Sequence, residues 1–171
     1  MSKTISCTLA KTSQAETVLH KLQTEGIPNK DVSVLFPERE DTKRFVQEKH
    51  TKAPEGAATG VTTGGVMGGV IGWLVGIGTL AIPGIGPFIA AGPIMAALSG
   101  SAIGAAVGGV TGTLVGLGIP EYEAKMYESK LKEGRILVSV RTQDEELEKR
   151  NRVMKIFTAA DGADLTQKQA A

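Results

Sequence analysis

The chain has 171 residues, a net charge of +1 at neutral pH and a single cysteine. That length can bury the core of one or two domains. The near-neutral charge gives no basis for nucleic-acid binding, and one cysteine excludes an intramolecular disulfide. The average conceals a sharp division: residues 56–120 contain no Lys, Arg, Asp or Glu, yet hold 19 of the 22 glycines.

The flank ahead of that block reads as strand, helix, strand. In TISCTLA, Ile5, Cys7 and Leu9 alternate with polar residues. This is the pattern of a half-buried strand, with Cys7 as a small core residue. The opening MSKTISCTLAKTS lacks the apolar run of a signal peptide. SQAE at 13–16 reads as a capping box, after which Ala15, Val18, Leu19 and Leu22 recur at helical spacing. Gly26 and Pro28 stop that helix, and DVSVLF then sets Val32, Val34 and Phe36 on one face of a second strand.

The uncharged block contains an internal repeat. GVTTGGVMGGVIGWLVG (60–76) and GSAIGAAVGGVTGTLVG (100–116) agree at nine of their seventeen positions. Glycine recurs every fourth residue in both: Gly60, Gly64, Gly68, Gly72 and Gly76, then Gly100, Gly104, Gly108, Gly112 and Gly116. Residues four apart lie on one ridge of a helix, so these glycines predict grooves for close helix packing and homo-oligomerisation. Each glycine costs about 1 kcal/mol in a water-exposed helix, whereas a bilayer compels backbone pairing. The reading is therefore two helices, 60–82 and 93–118, each longer than the roughly 20 residues that cross a membrane. The apolar turn PGIGPFIAAGP joins them, and Trp73 fills space beside the small residues. Arg44, Lys49 and Lys52 before this hairpin, and Lys125 after it, keep both termini cytoplasmic by the positive-inside rule.

The second flank opens with Pro120 at the start of a helix through YEAKMYESKLKE, which Gly134 ends. RILVSVRT is a strand with Ile136, Val138 and Val140 on one side and Leu137 on the other. TQDE at 142–145 reads as a second capping box, opening a helix that turns Leu147, Met154 and Phe157 to one face. Residues 163–165 suit a short closing strand.

The predicted class is α+β. Two βαβ halves make a ferredoxin-like domain, a four-stranded antiparallel sheet with two helices on one face. It is split into 1–54 and 120–171 by a glycine-zipper α-helical hairpin at 55–119. Joining residue 54 to residue 120 is expected to leave a folded domain. No catalytic, cofactor or metal constellation stands out. His20 and His50 lack partners at ligand spacing, no Gly-x-Ser-x-Gly occurs, and the glycine block has no Lys for a P-loop. Gly76-Ile77-Gly78 imitates a dinucleotide fingerprint, but at the end of a long helix rather than between strand and helix.

The AIPGIGPFIAAGP turn (81–93), the glycine runs beside it and GLGIPEYEAKMYESKLKEGRILVSVRT (116–142) resemble the bacterial low-temperature-induced and general stress proteins. The resemblance implies a cold- or stress-associated membrane protein with ferredoxin-like halves, and supplies no catalytic residues. The expected function is non-enzymatic: homo-oligomerisation with the lipid membrane and its own copies as partners, altering or stabilising the bilayer. One alternative is a soluble particle or filament that buries the hairpins. Another is a small ligand-sensing or pore module, and the lack of charged or amide side chains in 56–120 argues against an ion pathway.

Overall fold

A computed structural model of the chain describes residues 2–39, 43–44, 73–74, 76–82, 85–100, 109–143, 146–163 and 165. The fold is mixed α+β. Its strands are β1 (Ser2–Leu9), β2 (Val32–Pro37), β3 (Gly78–Ile82), β4 (Gly86–Ala91) and β5 (Ile136–Gln143). They form one antiparallel sheet in the order β1-β5-β2-β4-β3. Five helices are found among the described residues: α1 (Thr12–Thr24), α2 (Pro93–Gly100), α3 (Gly109–Gly116), α4 (Glu121–Lys132) and α5 (Leu147–Ala159).

The flanks fold largely as their periodicity dictates. Ile5, Cys7 and Leu9 of β1, Val32, Val34 and Phe36 of β2, and Ile136, Val138 and Val140 of β5 share one buried face. Against them lie Ala15, Val18, Leu19 and Leu22 of α1 and Val153, Ile156 and Phe157 of α5. Leu147, expected on that face, is 62 % exposed, because α5 turns Val153 and Ile156 inward instead. Gly26 and Gly134 lie just beyond α1 and α4, where the next amides bond back to the last helical turn (Ile27 N to Leu22 O, 3.0 Å; Arg135 N to Lys130 O, 3.1 Å). The first expected capping box is displaced by two residues, and the second includes 144 and 145, which lie outside the described residues. α1 begins at Thr12, with the Gln14 side chain accepting from the Lys11 amide at 3.0 Å. Glu146 does the same for Gln143, also at 3.0 Å, ahead of α5. In the expected closing strand, Ala163 bridges Thr8 through backbone hydrogen bonds of 2.9 and 3.0 Å, and residue 164 lies outside the described residues.

The sheet is covered on both faces, not one. Leu35 and Leu137 point away from α1 and α5 into a second cluster with Ala124, Tyr127 and Leu131 of α4. The uncharged block completes that cluster through Ile82, Phe88, Ala90, Ile94, Leu98, Val110 and Leu114. The polar members of the strand alternation are therefore buried too, and they pair there. Ser6 donates to Ser139 at 3.0 Å, the Tyr127 hydroxyl reaches the Ser6 carbonyl at 3.3 Å, and Thr4 caps α3 by donating to the Leu117 carbonyl at 2.6 Å. A buried hydroxyl is tolerated only with such a partner.

The described part of the insert differs from the predicted helical hairpin. Residues 78–82 are β3, not the end of a helix, and the expected turn contains β4, which extends the sheet beyond β2. Pro83 and Pro87 cannot continue a helix, while Thr79, Ile82, Phe88 and Ile89 favour a pleated surface. The expected helix 93–118 is present as two helices, α2 and α3, which pack against each other, and residues 101–108 between them lie outside the described residues. No helix among the described residues is long and apolar enough to cross a membrane.

Candidate functional site

Two cavities adjoin at the end of the sheet where β2 begins, β5 ends and β4 leads into α2. The larger, about 670 Å³, is walled by Gly76, Ile77, Gly92, Pro93, Met95, Ala96, Ser99 and Leu117. Lys30 and Arg141 are its only charged lining residues among those described. The smaller, about 440 Å³, shares both cations and adds Pro28, Asp31, Thr142, Gln143, Glu146 and Lys149. Apolar space thus meets polar space at a pair of positive charges.

Local structure explains how these residues come together. Pro28 opens a single 3-10 turn, Asn29–Asp31, that carries Lys30 and leads directly into β2. Its neighbour Asn29 donates to the Trp73 carbonyl at 3.0 Å, which ties residues 73–74 to this corner. The pairing of Val32 with Val140 then brings Arg141, the first exposed residue after five buried ones in β5, beside the turn. On the other wall, Gly92 takes φ +79°, and a Cβ there would stand 2.0 Å from the Val32 carbonyl oxygen. Only glycine lets the chain turn that closely from β4 into α2. Ser33 accepts the Ile94 amide at 3.1 Å, satisfying one of the free donors in the first turn of α2.

The charges are unequal. Lys149, only 11 % exposed, bridges Asp31 at 3.0 Å and Glu146 at 3.1 Å. Glu146 also accepts the Gln143 amide, and that bond, followed by Lys149, holds its carboxyl below its ordinary range. Arg141 stands 3.6 Å from Asp31 and keeps much of its guanidinium free. Lys30 makes no ion pair among the described residues. Among the described residues lining the smaller cavity, three cations face two carboxylates, an excess of one positive charge.

The glycines of the four-residue register are not gathered into a site by the described residues. Gly60, Gly64, Gly68, Gly72, Gly104 and Gly108 lie outside them. Gly76 is not helical: it has φ +66° and borders the larger cavity. Gly100 is the last residue of α2. Gly112 and Gly116 are exposed on α3, and a Cβ on either would meet nothing within 4 Å. No family model, curated protein or solved structure matches the chain.

None of the other candidates from the sequence that are described lines the cavities. His20 lies on α1, and His50 is outside the described residues. Trp73 is partly buried against the cluster under α1 and α5, and the glycine run at 60–72 before it lies outside the described residues. Cys7 is fully buried, and burial pushes its thiol far up, so it is no nucleophile. Among the described residues no three His, Cys, Asp or Glu side chains are grouped to hold a metal. Sequence reading missed Lys30 and Arg141. Their only local signal was a cation next to a strand, and a strand register makes them neighbours.

Proposed function

We propose that this chain is a non-enzymatic, stress-associated protein that self-associates and contacts lipid through its uncharged, glycine-rich insert. The carrying observation is the uncovered side of α3. Val110, Thr113 and Leu114 are buried, while Gly112, Val115 and Gly116 face outward with no charged residue on the helix. A bare backbone ridge beside an exposed Val suits another apolar surface, either a second copy or the acyl region of a lipid layer. The stress setting rests on the resemblance of residues 81–93 and 116–142 alone. A cytoplasmic placement of both termini remains part of this reading, on the strength of the flanking cations.

The ferredoxin-like plan belongs to the same proposal. The spatial order of the Ala163 bridge, β1, β5 and β2, with α1 and α5 on one face, is what two interlocked βαβ halves require. On this plan the insert departs after β2 and returns before β5.

The soluble assembly is the second reading, and the folding of β3, β4, α2 and α3 onto the sheet favours it. With 78–82, 86–91, 93–100 and 109–116 in that layer, the insert has no second stretch of about 20 residues for a bilayer span. Fractionation separates the two: a pellet that resists alkaline carbonate supports embedding, and a soluble multimer supports the assembly. Gly112→Leu should reduce the size of either multimer. A wild-type protein that is soluble and monomeric at working concentrations overturns both.

A further inference from the structure

We propose that the two adjoining cavities form a binding site for a single-chain amphiphile with a carboxylate head. The apolar tail occupies the larger cavity and the head lies at its junction with the smaller one, against Lys30 and Arg141. The volume of about 670 Å³ falls within the roughly 300–1,000 Å³ of small-molecule sites. Ile77, Pro93, Met95, Ala96 and Leu117 supply its walls, and Met95 is a flexible side chain that adapts to a tail. Gly78 contributes by omission, since a Cβ there would stand 2.5 Å from the Met95 methyl carbon.

The head chemistry follows from what is already paired. Asp31 and Glu146 would repel an anion if they were free, but Lys149 is shared between them at 3.0 and 3.1 Å. Among the described residues the remaining charges are the Lys30 ammonium and the Arg141 guanidinium, the latter only loosely held by Asp31 at 3.6 Å. A guanidinium fork and an ammonium lining the same two cavities match a carboxylate, which accepts from both. Among the described residues, a cationic head would find no carboxylate in this corner without a cation beside it. Among the described residues no aromatic ring lines either cavity, so none of them stacks on a nucleobase.

Titration calorimetry with laurate, kept below its micelle-forming concentration, tests the site. Dodecanol serves as the same tail without the charge. The wild-type chain should bind one laurate and prefer it to dodecanol. Lys30 and Ala96 are both exposed, so substitutions there leave the core intact, and circular dichroism verifies it. Lys30→Gln should weaken laurate by about tenfold, the worth of one charge-assisted hydrogen bond, and leave dodecanol unchanged. Ala96→Trp should abolish binding of both. The proposal is overturned if the wild type binds no laurate, if Ala96→Trp binds it undiminished, or if Lys30→Gln and Arg141→Gln both bind it as the wild type does. Stoichiometry is counted per chain, so the outcome stands apart from whether the protein self-associates.

Discussion

Replacing Phe88 with Ala decides whether the uncharged insert belongs to the core of the sheet domain or hangs from it. Phe88 is 2 % exposed in β4 and lies in the cluster that joins Leu35 and Leu137 of the flanks to Ile94, Leu114 and Tyr127. Truncating a buried Phe removes its transfer free energy and leaves a cavity, at a combined cost of about 3–5 kcal/mol. A domain of this size holds about 5–15 kcal/mol in total, so the loss is a large fraction of its stability. Urea unfolding should be followed both by far-ultraviolet circular dichroism and by the fluorescence of Trp73, the only tryptophan. Trp73 packs against the cluster under α1 and α5, on the other face of the sheet from Phe88. A shared core therefore requires both signals to move together to lower urea. If Phe88→Ala shifts stability by less than about 0.5 kcal/mol, as a surface change does, the reasoning fails and the insert is an appendage.

Four further outcomes follow from the same geometry. Joining residue 54 to residue 120 should abolish cooperative unfolding, contrary to the expectation from sequence, because it strips Leu35, Leu137 and Tyr127 of the partners that β4, α2 and α3 provide; a calorimetric transition like the wild type's would contradict this. Gly92→Ala combines a left-handed backbone penalty of about 1–2 kcal/mol with a clash against the Val32 carbonyl, and should lower the urea midpoint, whereas Gly112→Ala, with open space beside it, should leave or raise it. The Glu128 carboxyl is held below its ordinary range, first by the Thr111 hydroxyl and then by Lys132, so its contribution is complete above the unfolded value near about 4.3 and is lost as pH falls through the lower native value; stability should drop less steeply with acid in Glu128→Gln. Cys7, buried with its thiol pushed up, should react with thiol reagents only as fast as the protein opens, which pulsed labelling across a urea series measures.

The flanks were legible because their core positions announce themselves by period. Ile5, Cys7 and Leu9, or Val18, Leu19 and Leu22, could face only one way. The second face was hidden because Thr4, Ser6, Thr8, Ser33 and Ser139 look like solvent-facing residues on any hydropathy count. They are buried all the same, and Ser6, Ser139 and Ser33 are satisfied by each other or by a helix amide. Sequence alone does not price a hydroxyl that has found a partner, so a sheet covered twice reads as a sheet covered once. Lys30 and Arg141 were hidden for a different reason: the β2–β5 register, not any motif, makes them neighbours.

The glycine register shows where such a reading reaches its limit. A four-residue beat has one obvious physical use, a ridge on which helices approach, and that use assumes that every member has helical backbone. Gly76, with φ +66°, departs from it, and so does Gly109 beside the register, with φ +52°. Gly112 and Gly116 keep helical backbone, yet nothing among the described residues approaches them. A missing Cβ serves a left-handed turn, a close backbone contact and an open ridge equally well, and the sequence records all three with the same letter. The beat therefore predicts where the chain can be approached, and the neighbours that β3, β4 and α3 acquire on folding decide whether anything does so within one molecule. Among the described residues nothing does so at Gly112 and Gly116, and the self-association proposed above would supply a neighbour there.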